Sequence, residues 1–447
     1  MANEKIISVK GINDIVGERA KLYKEIIEIC EGVARNYGFE FINTPHLEFT
    51  TLFKRSVGES SDIVGKEMYE FIDKGENAVC LRPEGTAGIV RAYIQNGLNG
   101  KMGVKRLFYH GSMFRRERPQ KGRLREFHQF GVESFGTKNV YEDATLILMI
   151  AQIFKCLEKK YNLKIKTKLK INSLGCEKCS PEFRIKFLEF IGTKHGFCED
   201  CERRKKLNPI RMLDCKNEHC QVLLKNAPKM SECLCNECKR DFDTLKELLK
   251  DNEISFECDD KLVRGLDYYS KTAFEFESDE IGAKAAVAGG GRYDKLIEQL
   301  GGGNDYGVGF ALGIERLMLI LEKKEQEREV KREGIYICTS NEKYLKPLFK
   351  FATNLRKANK KVFLNYLYKK NSEWHLSNAD KSKKAEFLIE FRDDILDLDI
   401  FINKCFKVLG EQGKSMDYRQ KNAQLKRAIS TTKKIEKVLR DLKKTLI

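Results

Sequence analysis

Apolar positions near the amino terminus recur every three or four residues, which is the spacing of one face of an α-helix. The helix is predicted over residues 18–37, with an apolar face formed by Leu22, Ile26, Ile29, Val33 and Tyr37. Gly38 follows and predicts the end of the helix, because glycine favours the position just past a helix terminus. A short strand is predicted next, over residues 39–42.

Further along the chain, short apolar runs bounded by turn residues predict strands. Residues 105–110 and 127–135 are two such runs with a polar loop between them, so an antiparallel hairpin is predicted. Residues 262–277 and 307–313 give two more strand signals, and the second leads directly into a helix predicted over 314–323. The first part of the chain is therefore predicted to be an antiparallel sheet with flanking helices.

The rest of the chain differs in composition. Residues 170–258 interrupt the strand pattern with helical stretches rich in cysteine, lysine and asparagine, which we interpret as an inserted module. Residues 334–447 alternate strand and helix signals, which predicts a small α/β domain. The predicted strands are 335–339, 361–366 and 387–391, and the predicted helices are 342–358 and 373–385.

The composition is that of a chain with sizeable cores and a polar surface. Its 447 residues are too many for one ordinary domain, 41% are hydrophobic and 33% are charged. No run approaches the roughly 18–20 apolar residues of a membrane-spanning helix, and the amino-terminal segment lacks the apolar stretch of a signal peptide. We therefore expect a cytoplasmic protein without a membrane partner.

The excess of basic residues bears on the binding partner. Lys and Arg number 83 against 66 Asp and Glu, a formal net charge of +17. Such a balance favours a polyanionic partner, because cations that neutralise phosphates release condensed counterions. A generally lysine-rich composition is the other explanation. No GxxxxGK[ST] is present, and no GxGxxG follows a strand, which argues against a P-loop or Rossmann nucleotide site.

The loop between the hairpin strands is strongly basic. Its sequence, FRRERPQKGRLRE, contains Arg115, Arg116, Arg118, Lys121, Arg123 and Arg125. Guanidinium groups bind phosphate through paired hydrogen bonds, so this loop suits a triphosphate or the acceptor end of an RNA. A solvated basic hairpin is the alternative.

Polar residues then follow on one face of the second hairpin strand. Strand alternation puts Gln129, Gly131 and Glu133 on the same side, which suits a pocket for a small cationic or amide-rich ligand. The LRPEGT turn presents Glu84 and Thr86. Glu84 is a candidate acceptor for a substrate ammonium group, while a turn with Thr86 capping the next helix is an equally good interpretation.

The segment LVRGLDYY, residues 262–269, adds an arginine and two tyrosines. Arg264 and Tyr268 share strand parity, and Tyr269 lies opposite. A guanidinium in an apolar strand needs an anion, either a protein carboxylate such as Asp267 or a ligand phosphate.

Two glycine-rich stretches follow. The triple glycine in AAVAGGGRYDKL lets the backbone approach another group closely. In GVGFALGIERL, we expect Gly307, Gly309 and Gly313 to leave a trough for an aromatic base, with Arg316 at the end where a phosphate tail would emerge.

Together these motifs resemble the histidyl-tRNA synthetase family, which belongs to the second structural class of synthetases. Pro45 in INTPHLEF, the arginine hairpin and GIER are similar to class-wide signals, whereas LVRGLDYY and AGGGRYD are specific for histidine. The HIGH and KMSKS elements of the Rossmann class are absent. The resemblance implies an α+β fold: a class II antiparallel catalytic domain over 1–325, a helical insertion over 170–258, and an α/β anticodon-binding domain over 334–447.

The resemblance also implies roles for side chains. Arg115 and Arg264 would be catalytic, both at the α-phosphate of ATP, and Arg123 and Arg316 would bind the other phosphates. The residues that would bind histidine are Glu84, Thr86 and Gln129 at the amino group, Glu133 and Tyr269 at the imidazole, and Tyr268 in the pocket wall.

The implied reaction is the ATP- and Mg²⁺-dependent joining of L-histidine to tRNA(His) by a homodimer. Two alternatives remain open. One is a catalytically silent subunit, such as the regulatory partner of the first enzyme of histidine biosynthesis. The other is a module that binds uncharged tRNA without charging it. The arginine and tyrosines of LVRGLDYY and the predicted anticodon-binding domain argue against the first, because such subunits typically lack them. The presence of Arg115, Arg264 and Arg316 argues against the second.

Nine of the fifteen cysteines lie within residues 176–238. Two CxxC pairs, Cys176 with Cys179 and Cys198 with Cys201, have the spacing of zinc ligands. They predict either one structural zinc site made of these four thiolates or a small helical module with free thiols.

Overall fold

The computed structural model describes residues 6–391, except 59–60, 62, 101–102, 121, 283–284, 326–332, 380–384 and 386. Lys121 of the basic loop and the predicted anticodon-binding region beyond residue 391 lie outside the described residues. The chain divides into two compact units, Met1–Gln326 and Glu327–Ile447. Among the described residues, no helix combines the length and apolar character that crossing a membrane requires.

The strands of the first unit are β1 (Glu40–Phe41), β2 (Leu47–Phe49), β3 (Tyr69–Ile72), β4 (Ala78–Leu81), β5 (Lys105–Phe114), β6 (Glu126–Phe135), β7 (Lys168–Ser173), β8 (Phe256–Cys258), β9 (Ser270–Ser278), β10 (Ala285–Arg292) and β11 (Gly307–Gly313). Its helices are α1 (Gly17–Asn36), α2 (Thr50–Val57), α3 (Thr86–Gln95), α4 (Val140–Tyr161), α5 (Ser180–Gly192), α6 (Glu199–Leu207), α7 (Glu218–Leu223), α8 (Asn236–Asp251), α9 (Leu296–Gln299) and α10 (Ile314–Glu325).

Within the described part of the first unit, eight strands form one sheet in the order β1-β5-β6-β11-β10-β9-β7-β8. Its interior pairs are antiparallel, and the two edge pairs, β1 with β5 and β7 with β8, are parallel. The predicted antiparallel hairpin is confirmed, with Lys105 opposite Phe135 and Phe114 opposite Glu126. The predicted strand 307–313 and the helix after it are also confirmed.

One face of this sheet is covered by α1, α4 and α10, which form the main core. The predicted amino-terminal helix is confirmed as α1, and it buries Leu22, Ile26 and Val33 as expected. The strand alternation is confirmed on β6, since Phe130 and Val132 enter this core. Residues 129, 131 and 133 therefore face the opposite side, where a second apolar cluster that includes Phe53 and Tyr93 covers part of the sheet.

The predicted strand over 262–277 is wrong in its first half, because β9 begins only at Ser270 and residues 262–269 form an irregular loop. The reason is that Leu262 and Val263 are buried outside the sheet. Val263 packs with Met212 and Leu213 in a separate apolar cluster. The alternating apolar pattern of this segment therefore arises from a loop that packs against a separate apolar cluster, and it does not indicate a strand. We call residues 262–269 the arginine loop.

The inserted module is shorter than predicted. Residues 170–173 and 256–258 belong to β7 and β8, which pair with each other in the main sheet. The chain therefore leaves and rejoins the sheet at neighbouring strands, and we call residues 174–255 the cysteine-rich insertion. It contains α5 to α8, and α8 buries Leu245 and Leu249 against the main core.

The second unit confirms the predicted α/β character over its described residues. Its elements are β12 (Ile335–Thr339), α11 (Leu345–Lys357), β13 (Val362–Leu364), α12 (Ser372–Ser377) and β14 (Phe387–Phe391). The strands form a parallel sheet in the order β13-β12-β14. Helix α11 buries Leu348, Phe351 and Leu355.

A buried ion pair fixes the start of α4 to the end of β10. Asn139 caps α4 by accepting a hydrogen bond from the backbone N–H of Tyr141. The guanidinium of Arg292, 1% exposed, donates to the carboxylate of Asp143, 0% exposed. The Nη2–Oδ2 and Nε–Oδ2 distances are 2.6 Å and 2.9 Å.

We expect Asp143→Ala to lower the free energy of unfolding of the first unit by about 3–5 kcal/mol, because it leaves a buried guanidinium without its carboxylate. The matched control is Glu70→Ala, which removes a half-exposed partner of Lys54 and should cost less than about 1 kcal/mol. Urea denaturation measures both. Equal losses in the two variants would contradict the assigned weight of the buried pair.

Candidate active site

A cavity of about 200 Å³ opens on the side of the sheet opposite the main core. Its walls come from the loop between β5 and β6, the arginine loop, and strands β10 and β11. The predicted site residues that line it are Glu84, Thr86, Arg115, Arg123, Gln129, Arg264, Tyr268, Tyr269 and Arg316. Residues far apart in sequence thus meet at one site, while Glu133 lies just beneath its wall.

One end of the cavity is acidic and rich in acceptors. The Glu84 carboxylate accepts hydrogen bonds from the backbone N–H of Thr86 at 2.7 Å and of Ala87 at 2.9 Å. The N-cap residue of α3 is Gly85, and the Glu84 carboxylate pairs with the first N–H groups of the helix, so the alternative in which the Thr86 side chain caps the helix is wrong. Burial raises the pKa of Glu84, although these N–H groups and Arg115 partly oppose the rise. Gln129 adds a buried Oε1 without a hydrogen-bond partner among the described residues.

Beneath this end lies the carboxyl group of Glu133, which is 1% exposed. It accepts hydrogen bonds from the hydroxyl groups of Thr86 at 2.7 Å and Tyr109 at 3.3 Å, and also from Tyr293. Burial raises its pKa to about 8, even though the three hydroxyl donors favour the ionised form. The group is therefore poised to gain or lose a proton near neutral pH, depending on what approaches it.

Glycines make room for this buried cluster. A Cβ at Gly309 would lie 1.7 Å from Glu133 Oε2, and a Cβ at Gly307 would lie 2.3 Å from the Tyr293 ring. The expected trough at these two glycines is wrong, because the protein's own side chains fill it. Gly313 alone of the three glycines lines the cavity, beside Arg316.

Sequence reasoning missed Tyr109 and Tyr293. The signal was present as glycines opposite the rings, since a Cβ at Gly85 or Gly131 would lie 2.2 Å or 2.4 Å from Tyr109. A glycine shows that something approaches closely, but it does not show which side chain does so. Tyr293 lies two residues after the triple glycine, a motif that was interpreted only as allowing close approach of the backbone.

The other end of the cavity is cationic. Arg115 donates from Nε to the carbonyl oxygen of Pro83 at 2.9 Å, and Arg316 donates from Nε to that of Gly122 at 3.3 Å. Burial lowers the pKa of Arg316, and the nearby charges of Arg123 and Arg115 lower it further. Guanidinium groups that repel one another in a cavity are stabilised by a bound anion.

Arg264 lies at the centre, and its carboxylate partner is Glu275. The alternative of a protein carboxylate is thus confirmed, but the suggested residue is wrong, since Asp267 accepts a hydrogen bond from Asn208 at 2.8 Å. Burial disfavours the Arg264 charge, but Glu275 outweighs this and the pKa of Arg264 is raised. Gly289 is required beside it, because a Cβ there would lie 2.5 Å from Nη1.

The cysteines cluster, but not as predicted from their spacing. Cys176 and Cys179 lie with Cys235 and Cys238, whereas Cys198 and Cys201 lie with Cys215 and Cys220. A single site made of Cys176, Cys179, Cys198 and Cys201 is therefore wrong. The two CxxC pairs are separated because each finds partners elsewhere in the cysteine-rich insertion.

The chain is similar to a family model and to several known proteins. A family model described as histidyl-tRNA synthetase matches residues 11–175 and 191–317. A histidine–tRNA ligase of Campylobacter jejuni (strain RM1221) is 63% identical over 383 residues, which cover 86% of this chain and 91% of that protein. One from Campylobacter lari is 61% identical over 396 residues, covering 89% and 95%. The crystal structure of apo S. aureus histidyl-tRNA synthetase is 33% identical with a TM-score of 0.71, covering 88% and 93%.

The burial of Glu133 predicts a pH dependence of stability. Its pKa rises from 4.5 to about 8 on folding, so the folded state binds more protons between these values and loses stability as pH increases through that window. We expect the difference in unfolding free energy between wild type and Glu133→Gln to shift in favour of the variant from pH 5 to pH 8. Urea denaturation at a series of pH values measures it. A constant difference would show that Glu133 is ionised throughout.

Proposed function

The chain belongs to the histidyl-tRNA synthetase family, and we propose that the cavity between the acidic and cationic ends is where it activates histidine. The first unit has the class II synthetase fold, and the chain is a histidine–tRNA ligase. It joins L-histidine to ATP, giving histidyl-adenylate and pyrophosphate, and then transfers histidine to the 3′-terminal adenosine of tRNA(His). The observation that carries the proposal is the convergence of Arg115, Arg264 and Arg316 on a cavity that ends at Glu84 and Gln129.

The acidic end receives the α-ammonium group of histidine. Glu84 supplies the negative charge, and the buried Gln129 Oε1 gains the donor that the described residues do not provide. The Thr86 hydroxyl lies between them and is held by Glu133 at 2.7 Å. This arrangement orients the histidine carboxylate toward the arginines at the other end, which turns a bimolecular encounter into an aligned one.

Glu133 and Tyr269 recognise the imidazole. An imidazole N–H that approaches past Thr86 and Tyr109 offers the buried Glu133 carboxylate a donor and so lowers the cost of its charge. The Tyr269 ring lies 5.7 Å from the Arg264 guanidinium and presents its hydroxyl from the other side. An amino acid with an apolar side chain leaves these polar groups unpaired, which provides the specificity. Tyr268 fixes the wall by donating to Glu84 at 3.5 Å.

The cationic end binds ATP with its Mg²⁺. Arg115 and Arg264 hold the α-phosphate, and Arg123 and Arg316 hold the rest of the triphosphate. The histidine carboxylate attacks the α-phosphorus and pyrophosphate leaves, so negative charge grows on oxygens that already face fixed guanidinium groups. No protein nucleophile takes part. The adenosine hydroxyl of tRNA then attacks the adenylate carbonyl and releases AMP.

The remaining parts of the proposal concern domains, assembly and location. Residues 1–325 act as the catalytic domain, and residues 334–447 bind the anticodon.

Two copies form a homodimer, which is supported by exposed apolar side chains on the small β2-β4-β3 sheet: Leu47, Phe49, Phe71 and Ile72. The protein works in the cytoplasm, where its cysteines stay reduced.

Structural zinc in the cysteine-rich insertion is also part of the proposal. Bound zinc would crosslink segments of the insertion that are distant in sequence. The eight clustered cysteines provide the soft thiolate ligands that zinc prefers.

We expect wild-type enzyme to exchange labelled pyrophosphate into ATP only when histidine is present. Arg264→Ala should lower this exchange by about 10²-fold or more, because it removes a cation from the developing charge at the α-phosphate. The control is Arg240→Ala, which changes an exposed arginine on α8 and should leave exchange unaltered. Near-normal exchange in Arg264→Ala would remove this residue from the site, and failure of the wild type would remove the function.

We expect Tyr269→Phe to raise the KM for histidine about three- to tenfold, because the imidazole loses one hydrogen bond while the ring still packs beside Arg264. The KM for ATP should stay constant, since the hydroxyl is assigned to the amino acid alone. Steady-state exchange at varied histidine and varied ATP measures the two effects separately. An equal rise in both KM values would mean that the substitution disturbs Arg264 and not histidine recognition.

A further inference from the structure

The sulfur atoms of the cysteine-rich insertion are spaced as metal ligands. In the first tetrad the Sγ of Cys176 lies 3.7 Å from that of Cys179 and 3.8 Å from that of Cys235, and Cys179 lies 3.8 Å from Cys238. In the second tetrad the Sγ atoms of Cys198 and Cys215 are 3.7 Å apart. Four thiolates about 2.3 Å from a central zinc lie about 3.8 Å from one another, while a disulfide needs about 2.05 Å.

The local backbone repeats in the two tetrads. Cys198 precedes α6 with φ −65° and ψ 161°, and Cys235 precedes α8 with φ −64° and ψ 161°. Each is the first cysteine of a CxxC pair whose second member lies in the first helical turn. Backbone N–H groups also donate to sulfur, from Cys176 to Cys179 at 3.0 Å and from Cys198 to Cys220 at 3.2 Å.

The ninth cysteine of the segment shows that clustering is selective. Cys233 is buried in the same insertion, but it belongs to neither tetrad. Its Sγ lies 3.8 Å from the ammonium nitrogen of Lys186. General packing of buried thiols does not explain why eight cysteines form two groups of four and this one does not.

The two tetrads occupy different places in the fold. The first joins the segment after β7 to the start of α8, and so closes the base of the insertion where it meets the main sheet. The second lies within the insertion and brackets the segment between α6 and Cys215. That segment contains the 3₁₀ helix Pro209–Met212.

The segment between α6 and Cys215 contacts the arginine loop through hydrogen bonds to the loop backbone and to Asp267. Asn208 donates from Nδ2 to Asp267 Oδ1 at 2.8 Å, and Arg211 donates from Nη1 to the carbonyl oxygen of Gly265 at 3.0 Å. Val263 of the loop packs in the same apolar cluster as Met212. The loop thus has its catalytic side chains on the cavity and its backbone held by the insertion.

We infer that the cysteine-rich insertion holds two zinc ions, one in each tetrathiolate, and that the second ion positions the arginine loop through Asn208 and Arg211. Binding of each ion displaces the thiol protons to solvent, with no change of oxidation state. Asn208 and Arg211 are positioning residues, since they touch the loop and not the substrate. The positioning part rests on the proposed activation of histidine, whereas the metal part does not.

Metal analysis of the full-length protein, purified in reductant, tests the metal part. We expect about two zinc equivalents per chain in wild type and about one in Cys201→Ser or Cys238→Ser. Cys233→Ser is the matched control and should keep both. Zinc K-edge X-ray absorption of the wild type should show four sulfur neighbours at about 2.3 Å. A single equivalent in wild type, nitrogen or oxygen ligands, or loss of both ions in Cys233→Ser would overturn it. The absorption measurement decides even if a serine variant fails to fold.

A double-mutant cycle tests the positioning part. Arg211→Ala should keep both zinc ions yet lower kcat for pyrophosphate exchange about tenfold, with a smaller change in KM for ATP, because the loop is displaced and not removed. Cys201→Ser should have a similar effect, and the two changes combined should lower kcat no further than either alone. Multiplicative losses would show that the second tetrad does not act through Arg211.

Hydrogen exchange gives a readout that does not depend on activity. Backbone amides of the arginine loop should exchange faster in Cys201→Ser and Arg211→Ala than in wild type, and at the wild-type rate in Cys233→Ser. Unchanged exchange in Cys201→Ser would overturn the positioning role. Absence of histidine-dependent turnover in wild type, with two zinc ions and the expected loop exchange, would refute the proposed function while leaving the metal sites and the loop contact in place.

Discussion

The hydrogen-bonded cluster around Glu133 connects several of the elements that surround the cavity. The carboxyl group stands on β6, and its three donors come from α3, β5 and the chain after β10. On β11, Gly309 provides the space that its carboxyl group occupies. Because a buried carboxyl is costly unless hydrogen-bonded, the positions of these elements are mutually dependent. Loss of any one donor would leave the group less well satisfied and the cavity less well defined.

Side chains of opposite charge line the cavity next to this cluster. Glu84 lines the cavity together with Arg115 and Arg316, and the charge of Arg115 favours the ionised form of Glu84. Burial lowers the pKa of Arg316, and repulsion by the charges of Arg123 and Arg115 lowers it further. In the proposed reaction, a bound triphosphate would relieve that repulsion, and the same guanidinium groups would stabilise the pentavalent phosphorus.

The arginine loop connects this chemistry to the cysteine-rich insertion. Its residues have little regular structure of their own, and their position depends on contacts from both sides. Arg264 pairs with Glu275 in the sheet, while Gly265 and Asp267 accept hydrogen bonds from the insertion. A segment without a large apolar core of its own benefits from crosslinks. The two cysteine tetrads lie where such crosslinks would hold the insertion to the sheet and its tip to the loop.

The sequence by itself determined the elements with strong periodicity and the identity of the cationic and polar residues. Helix α1, the β5–β6 hairpin and the passage from β11 into α10 followed from the spacing of apolar residues, which reflects direct contact with one core. Strand alternation also placed Gln129 and Glu133 on one face, because the side-chain period of a strand is fixed by its backbone. The motifs around Arg115 and Arg264 were sufficient to indicate the family.

Only the tertiary structure decided which side chains meet. The carboxylate partner of Arg264 is Glu275 and not Asp267. Tyr109 and Tyr293 surround Glu133. Cys176 lies beside Cys235 and not beside Cys198. Each of these contacts joins residues on different elements, so no local spacing encodes it. The arginine loop was misjudged as a strand for the same reason, since its burial comes from a separate layer. Local sequence patterns indicate which residues of a segment are buried, whereas the tertiary fold determines which residues they pack against.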